Sequence, residues 1–167
     1  MVMIILKVVY YMNIEFEKDN NRFSARASAI IYNSDKTKVL LFKVEDGRDY
    51  FLLPGGRIEF NEDSKSAIKR EIKEELDYDI DFKSCSIQEN FIKHNDTITT
   101  QYCFVYKGIY NGVINDDKIE CCDHDNQSFY WINIDEINNY KILPMSLMED
   151  ICNDTTYIKH YVESINL

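Results

Sequence analysis

PGGRIEFNEDSKSAIKREIKEELDYDI, residues 54–80, sets two adjacent glycines ahead of a segment crowded with glutamate. The chain has only 5 glycines among 167 residues. Adjacent glycines free the backbone for positive φ or for close approach to a ligand. The spacing that follows predicts a helix over 63–77: Asp63 or Ser64 can cap its start, and Ala67, Ile68, Ile72 and Leu76 recur at helical intervals. At about 100° per residue, Ile68, Ile72 and Leu76 form one stripe, and Glu71, Glu74 and Glu75 fill an adjacent arc of roughly 100°. Three carboxylates at i, i+3 and i+4 repel one another unless they are solvated, paired or bridged by cations. Lys65, Lys69, Arg70 and Lys73 would serve as partners on an ordinary solvated face. Alternatively, Mg2+ or Mn2+ would join these hard oxygen donors to phosphate.

Outward from this segment, RFSARASAIIYN (22–33) and KVLLFKVE (38–45), with a turn signal NSDK (33–36) between them, read as a hairpin. DYFLLPGG (49–56) reads as a third short strand stopped by Pro54, with a loop beginning at the glycines. SCSIQENFI (84–92), TTQYCFVYKGIYN (99–111) and SFYWINID (128–135) are further strands, and helices are expected over 145–152 and 157–163. Strands, helix, strands, helix implies an α/β fold, a mixed sheet covered by helices. No repeat, low-complexity tract or Pro/Ser-rich linker marks a boundary, so one domain over 1–167 is expected. The opening MVMIILKVVYYM is interrupted by Lys7 and is shorter than the roughly 20 apolar residues of a bilayer span. Residues 1–21 are read as an N-terminal extension or an edge strand.

Composition narrows the function. With 45% hydrophobic and 29% charged residues the chain suits a packed globular domain, and its net charge of −10 opposes binding to nucleic-acid polymers or anionic membranes. An anionic ligand would need attraction other than bulk charge. Five cysteines without a framework spacing, two of them vicinal at Cys121 and Cys122, fit a reducing cytoplasm. Phe51, Phe91, Tyr102, Tyr130 and Trp131 could stack on a base, but core packing is the expectation for each. His94 and His160 read as exposed surface histidines.

Gly56 is followed after five residues by Glu62, and after seven more by Arg70-Glu71-Ile72-Lys73-Glu74-Glu75. This resembles the Nudix box, G-x5-E-x7-R-E-U-x-E-E-x-G-U with U a bulky aliphatic residue. The match departs at its end, where Asp77 replaces glycine and Tyr78 an aliphatic residue. The glycine is a helix C-cap that is usually left-handed; aspartate tolerates that conformation with some strain, so a modest stability cost is expected with the metal ligands intact. The flanking ARASAIIYNSDKTKVLLFKVEDGRDYFLLPGG, FYWINIDEI and ILP also look like the family.

The resemblance implies a Nudix-type α/β/α sandwich around a mixed β-sheet. It also implies a Mg2+-dependent hydrolase, with Mn2+ as substitute, cleaving a nucleoside diphosphate linked to another moiety: a nucleoside triphosphate, a nucleotide-sugar or a dinucleotide. By position, Glu71, Glu74, Glu75 and the Gly55 carbonyl would be metal ligands, and Arg70 would orient the glutamates with Glu62 at the periphery. Arg57 and Gly56 would lie against substrate. The general base would be Glu71, or a loop acid among Glu120, Asp123 and Asp125. CCDHD (121–125) lacks the separated ligand pairs of a soft-metal site and reads as a polar loop. A catalytically silent nucleotide-sensing module and an isoprenyl diphosphate isomerase stay open as alternatives, although no cysteine can be assigned to the isomerase's acid–base pair. Homodimers are common in the family, so a dimer is also an expectation.

Overall fold

The computed structural model describes residues 12–122 and 126–167. In chain order the elements are β1 (Glu15–Lys18), β2 (Asn21–Asn33), β3 (Lys38–Val44), β4 (Gly55–Arg57), α1 (Ser64–Leu76), β5 (Lys83–His94), β6 (Thr97–Tyr110), β7 (Lys118–Glu120) and β8 (Gln127–Asn133). A 3-10 turn over Ile134–Asn139, α2 (Leu147–Cys152) and β9 (Lys159–Asn166) follow. The strands form one sheet in the order β7-β8-β3-β2-β6-β5-β9, with β1 and β4 also pairing on β2. β2–β6 and β5–β9 run parallel and the other pairs antiparallel, so the sheet is mixed, as the element order implies.

β2 shows how the residues build the layers. Side chains alternate across a strand. Ala25, Ala27, Ala29 and Ile31 pack in one core with Ala67, Ile68, Ile72 and Leu76 of α1. Ile30 and Tyr32 pack in a second core with Val39, Leu41, Ile137, Leu147 and Ile151. The alanines bring α1 close to one face, and the 3-10 turn and α2 close the other, giving helices on both sides of the sheet. Each buried Ile or Leu side chain removes enough apolar area to stabilise the fold by about 1.5–3 kcal/mol.

α1 begins where its sequence says it should. Asp63 Oδ1 accepts from the backbone N–H groups of Lys65 at 2.9 Å and Ser66 at 3.0 Å, two donors that the helix itself cannot satisfy. At the other end Asp77 is left-handed (φ 57°, ψ 27°), its N–H donates to the Lys73 carbonyl, and its carboxylate pairs with Lys73 at 2.6 Å. That exposed pair contributes little, whereas the left-handed backbone strains any side chain. Asp77→Gly is therefore expected to stabilise the protein by about 0.5–1 kcal/mol, raising Tm by about 2–3 °C in a thermal melt. A lower Tm would mean that the ion pair outweighs the backbone strain. Tyr78 fills the other departure from the motif by stacking on Tyr110, with ring centroids 3.9 Å apart.

Three local expectations need correction. The two glycines do not open a loop: Gly55, Gly56 and Arg57 form β4, opposite Ser28, Ala27 and Arg26. Residues 49–53 make only isolated bridges, Phe42 with Leu52 and Phe51 with Ile142. Residues 157–163 are not a helix, because Lys159–Asn166 pairs in parallel with β5 as an outer strand rich in the β-branched and aromatic residues that strands favour. Within the segment read as an extension or edge strand, β1 pairs with β2; residues 1–11 lie outside the described residues.

Candidate active site

One guanidinium organises the acidic helix face. Arg70 grips Glu62 with two parallel hydrogen bonds, Nε to Oε1 at 2.9 Å and Nη2 to Oε2 at 3.0 Å. Its Nη1 donates to Glu71 Oε1 at 2.8 Å and Glu74 Oε2 at 3.1 Å, and Nη2 also reaches the Arg57 carbonyl at 3.0 Å. The turn before α1, two helix glutamates and β4 are thus tied to one planar cation, the geometry that arginine supplies and lysine does not. The Arg70 hydrogen bonds hold the Glu62 carboxyl below the usual carboxylate range. Burial pushes Glu71 upward despite Arg70, so its carboxylate is a stronger proton acceptor than an exposed glutamate.

Glu71 also explains the second glycine. A Cβ on Gly56 would fall within 3.0 Å of three Glu71 carboxyl atoms, so the carboxylate lies directly against the bare backbone of β4. Gly55 has φ 134°, a conformation that side chains rarely adopt, and a Cβ there would meet the Ala27 carbonyl of β2. The Gly55 carbonyl itself accepts from Arg26 Nη2 at 2.8 Å. Glu75 is 8% exposed, and its own carbonyl accepts from the Cys122 N–H at 3.1 Å, which anchors the segment after β7 beside the end of α1.

The groups that the motif offers as ligands, the Glu71, Glu74 and Glu75 carboxylates and the Gly55 carbonyl, would present only oxygen. Hard oxygen donors suit Mg2+ or Mn2+. Among the described residues no three His, Cys, Asp or Glu side chains stand together as a ready metal-binding group. Arg70 engages one oxygen each of Glu71 and Glu74.

The remaining candidates are placed as follows. Arg57 turns its Nε to a Glu15 carboxylate oxygen while its side chain lines the neighbouring cleft. Glu120, on β7, is engaged by Lys118 at 2.9 Å and Ser128 at 3.2 Å, which hold its carboxyl below the usual range. Asp123, His124 and Asp125 lie outside the described residues. Trp131 is core, and Phe51 and Tyr130 are half-buried against each other. Phe91 and Tyr102 are exposed rather than core, because α1 does not extend over the ends of β5 and β6 that carry them. His160 is exposed but has a partner, Glu89 at 2.8 Å.

A cleft lies on the sheet face opposite α1, and the sequence reading missed it. Arg22, Ser24, Arg26 and Ser28 alternate with the core-facing residues of β2 and open onto it. One cavity of about 780 Å³ is lined by both signs of charge: Arg22, Arg26, Arg48, Arg57 and Lys141 with Glu17, Asp46 and Asp49. Glu15 pairs with Arg22 and Arg57, Asp46 with Arg48, and Asp49 with Lys141. A second cavity, of about 310 Å³, shares Arg26, Arg48 and Gln101 with the first. The polar alternation at 22, 24, 26 and 28 was the sequence signal that could have exposed this face.

The NUDIX domain family profile matches residues 22–147. No curated protein sequence matches the chain. Among solved structures the chain is similar to a mutator MutT protein from Bacillus halodurans, at 18% identity over 83% of this chain and 90% of that one, with a TM-score of 0.61. It is also similar to the dihydroneopterin triphosphate pyrophosphohydrolase of Escherichia coli, at 17% identity over 76% and 91%, with a TM-score of 0.61. A third is a MutT NUDIX hydrolase from Burkholderia pseudomallei, at 19% identity over 80% and 98%, with a TM-score of 0.60. At these identities the likeness carries the fold.

Proposed function

The chain belongs to the Nudix family of pyrophosphohydrolases, and from that premise we propose that it hydrolyses a nucleoside diphosphate linked to another moiety with the help of Mg2+. The observation that carries this reading is the Arg70 hub, which sets Glu62, Glu71 and Glu74 in fixed relation to the β4 backbone on which Glu71 rests. Glu71, Glu74, Glu75 and the Gly55 carbonyl would hold Mg2+, which when bound neutralises the diphosphate and lowers the pKa of a water. The protein's own part is positioning and one proton transfer. Water adds to phosphorus, the P–O–P bond breaks with the leaving phosphate oxygen taking the bond electrons, and the Glu71 carboxylate accepts the water proton. Glu71 is the acceptor because it rests against the β4 backbone at the same corner, whereas Glu120 is engaged by Lys118 and Ser128 on β7. Arg70 keeps Glu71 aimed, and Arg26, which lines the cleft and donates to the Gly55 carbonyl, sets a further cation beside the same corner.

The cellular setting proposed is the cytoplasm. All five cysteines are free, and no helix among the described residues is long and apolar enough to cross a membrane. A homodimer remains part of this proposal from the family resemblance alone.

The test is hydrolysis of nucleoside triphosphates, nucleotide-sugars and dinucleotides, each with Mg2+ and with EDTA, the products being released as phosphate by a phosphatase added with its own Mg2+ after the protein is removed. Turnover of at least one substrate with Mg2+, lost in EDTA and regained on adding Mg2+ or Mn2+, is the expected result. Nucleotide binding with no turnover in either metal would replace this reading by the silent sensing module.

A further inference from the structure

The sheet face that carries α1 is covered over only part of its area. α1 packs on β2, β4 and β6. Beyond its start an apolar band crosses five strands: Phe16 of β1 stands beside Phe23 of β2, Ala25 of β2 beside Tyr102 of β6, Thr100 of β6 beside Phe91 of β5, and Glu89 of β5 beside Val162 of β9. Paired residues share a face and side chains alternate along a strand. Ala25 belongs to the α1 core, so Phe16, Phe23, Tyr102, Phe91 and Val162 all project on the α1 side. Phe16 stacks on Phe23 with ring centroids 5.1 Å apart, and Phe23 meets Tyr102 edge-on at 5.6 Å. Phe16 and Val162 are each 65% exposed, and Phe91, Tyr102 and Ile98 are exposed with them. A contiguous exposed apolar surface of this kind marks a contact site.

We propose that this band is the docking surface for the chain's own residues 1–11, MVMIILKVVYY. Lys7 is the only charged residue among them, so leaving the run in water would forgo about 25 cal/mol for each Å² of apolar area it could bury. The chain delivers the run to the border of the band. The Met12 carbonyl accepts from the Phe60 N–H at 2.8 Å, and Asn13 bridges to Glu59, shortly before the Asp63 cap of α1. Met12 and Phe60 are both exposed, and Ile14, two residues on from Met12, packs against the α1 core.

The length of the run suits the face. From β1 to β9 is four strand spacings, about 19 Å, and eleven residues span about 16 Å as a helix or about 36 Å extended. The charges agree as well. Glu89, between Tyr102 and Val162, is the acid that these five strands turn to the α1 side, and its partner is the exposed His160 at 2.8 Å. β5 lies three spacings from β1, about 14 Å, a distance that the five residues from Met12 back to Lys7 cover when extended. A second copy of the chain would instead bring a further net charge of −10 to the contact. The contact involves no member of the Arg70 hub and does not depend on hydrolysis.

The experiment places the photo-crosslinker p-benzoylphenylalanine at position 91 of the full chain, in place of Phe91. The purified protein is irradiated at low micromolar concentration, and its adducts are mapped by electrophoresis and peptide mass spectrometry. Because Phe91 is exposed, the larger ring should be tolerated, with Tm within about 2 °C of wild type; position 102 is the second reporter if it is not. The expected adduct has the mass of a single chain, joins position 91 to a residue within 1–11, and forms in the same yield after tenfold dilution. The same group in place of Tyr157, exposed beside Lys107 and Ile109 at the other end of β6, should capture residues 1–11 at less than a tenth of that yield. Adducts of doubled mass would give the band to a second copy and overturn the docking. Single-chain adducts that leave out residues 1–11, or equal capture from positions 91 and 157, would overturn it too.

Discussion

Gly56→Ala lowers kcat/KM by about a hundredfold or more while the protein keeps its fold. The added methyl group would lie within 3.0 Å of the Glu71 carboxyl carbon and both its oxygens. Backbone is not what it meets first, and Gly56 does not have the positive φ that strains a side chain, so β4 can stay paired with β2. The carboxylate has to give way by about 1 Å, and misplacement of a reacting group on that scale costs about a hundredfold. Its retreat also pulls Glu71 Oε1 from Arg70 Nη1, releasing one arm of the hub. Steady-state kinetics and a thermal melt, run on one preparation, check both halves. Activity within threefold of wild type would show that Glu71 does not work from the position it holds, and a drop in Tm above about 5 °C would show the clash resolved in the backbone instead.

The second large effect is on stability. Asp150 of α2 is completely buried and joins three elements: it accepts from Ser86 Oγ of β5 at 2.6 Å and from Tyr161 OH of β9 at 3.0 Å, and pairs with Lys159 Nζ at 3.2 Å. Removing one member of such a pair strands the other charge, which costs about 3–5 kcal/mol. For a chain of this length that is a fall in Tm of about 6–15 °C for Asp150→Ala. The companion Asp150→Ala/Lys159→Met should recover part of the loss, because no charge is then left behind. A shift under 2 °C for the single variant would mean that Glu149, which also pairs with Lys159 at 2.9 Å, carries the lysine alone. Activity per folded molecule should be little changed, since Asp150 itself lines neither cavity on the sheet face opposite α1.

These two sites differ in how far the sequence disclosed them. The helix, its Asp63 cap, the left-handed Asp77 and the acidic face all follow from spacing within residues 54–80, where every interaction lies within one turn or one short connection. β2 and β3 were legible for the same reason, as a hairpin is local. β9 was not, because its place is set by parallel pairing with β5 some seventy residues earlier, and YIKHYVE has apolar residues at spacings that either a helix or a strand can use. The glycine pair was correctly singled out and wrongly given to a loop. What it serves is close packing against Glu71 and Ala27, which only the register of β4 on β2 reveals. Arg26 showed only as part of the alternation along β2, and its meeting with Gln101 is set by the register of β2 on β6, far apart in sequence. The arginine hub lay between: the motif named Arg70, and the structure shows that Glu62 is its firmest partner.

The parallel register of β2 on β6 runs unbroken from Asn21–Ile98 to Asn33–Tyr110. On a ribosome adding about 5–20 residues per second, a gap of roughly 80 residues is about 4–16 s. For that interval the nascent β2 carries Ala27, Ala29, Ile30 and Ile31 with no permanent neighbour on that edge, and the hairpin with β3 shields only Ile31 and Tyr32 by direct pairing. Closing so long a loop before its contacts repay the entropy makes this a slow-folding topology, governed by when residues 97–110 emerge. Synthesis speed, and chaperones that hold a bare strand, therefore bear on the yield of this protein more than its final stability does.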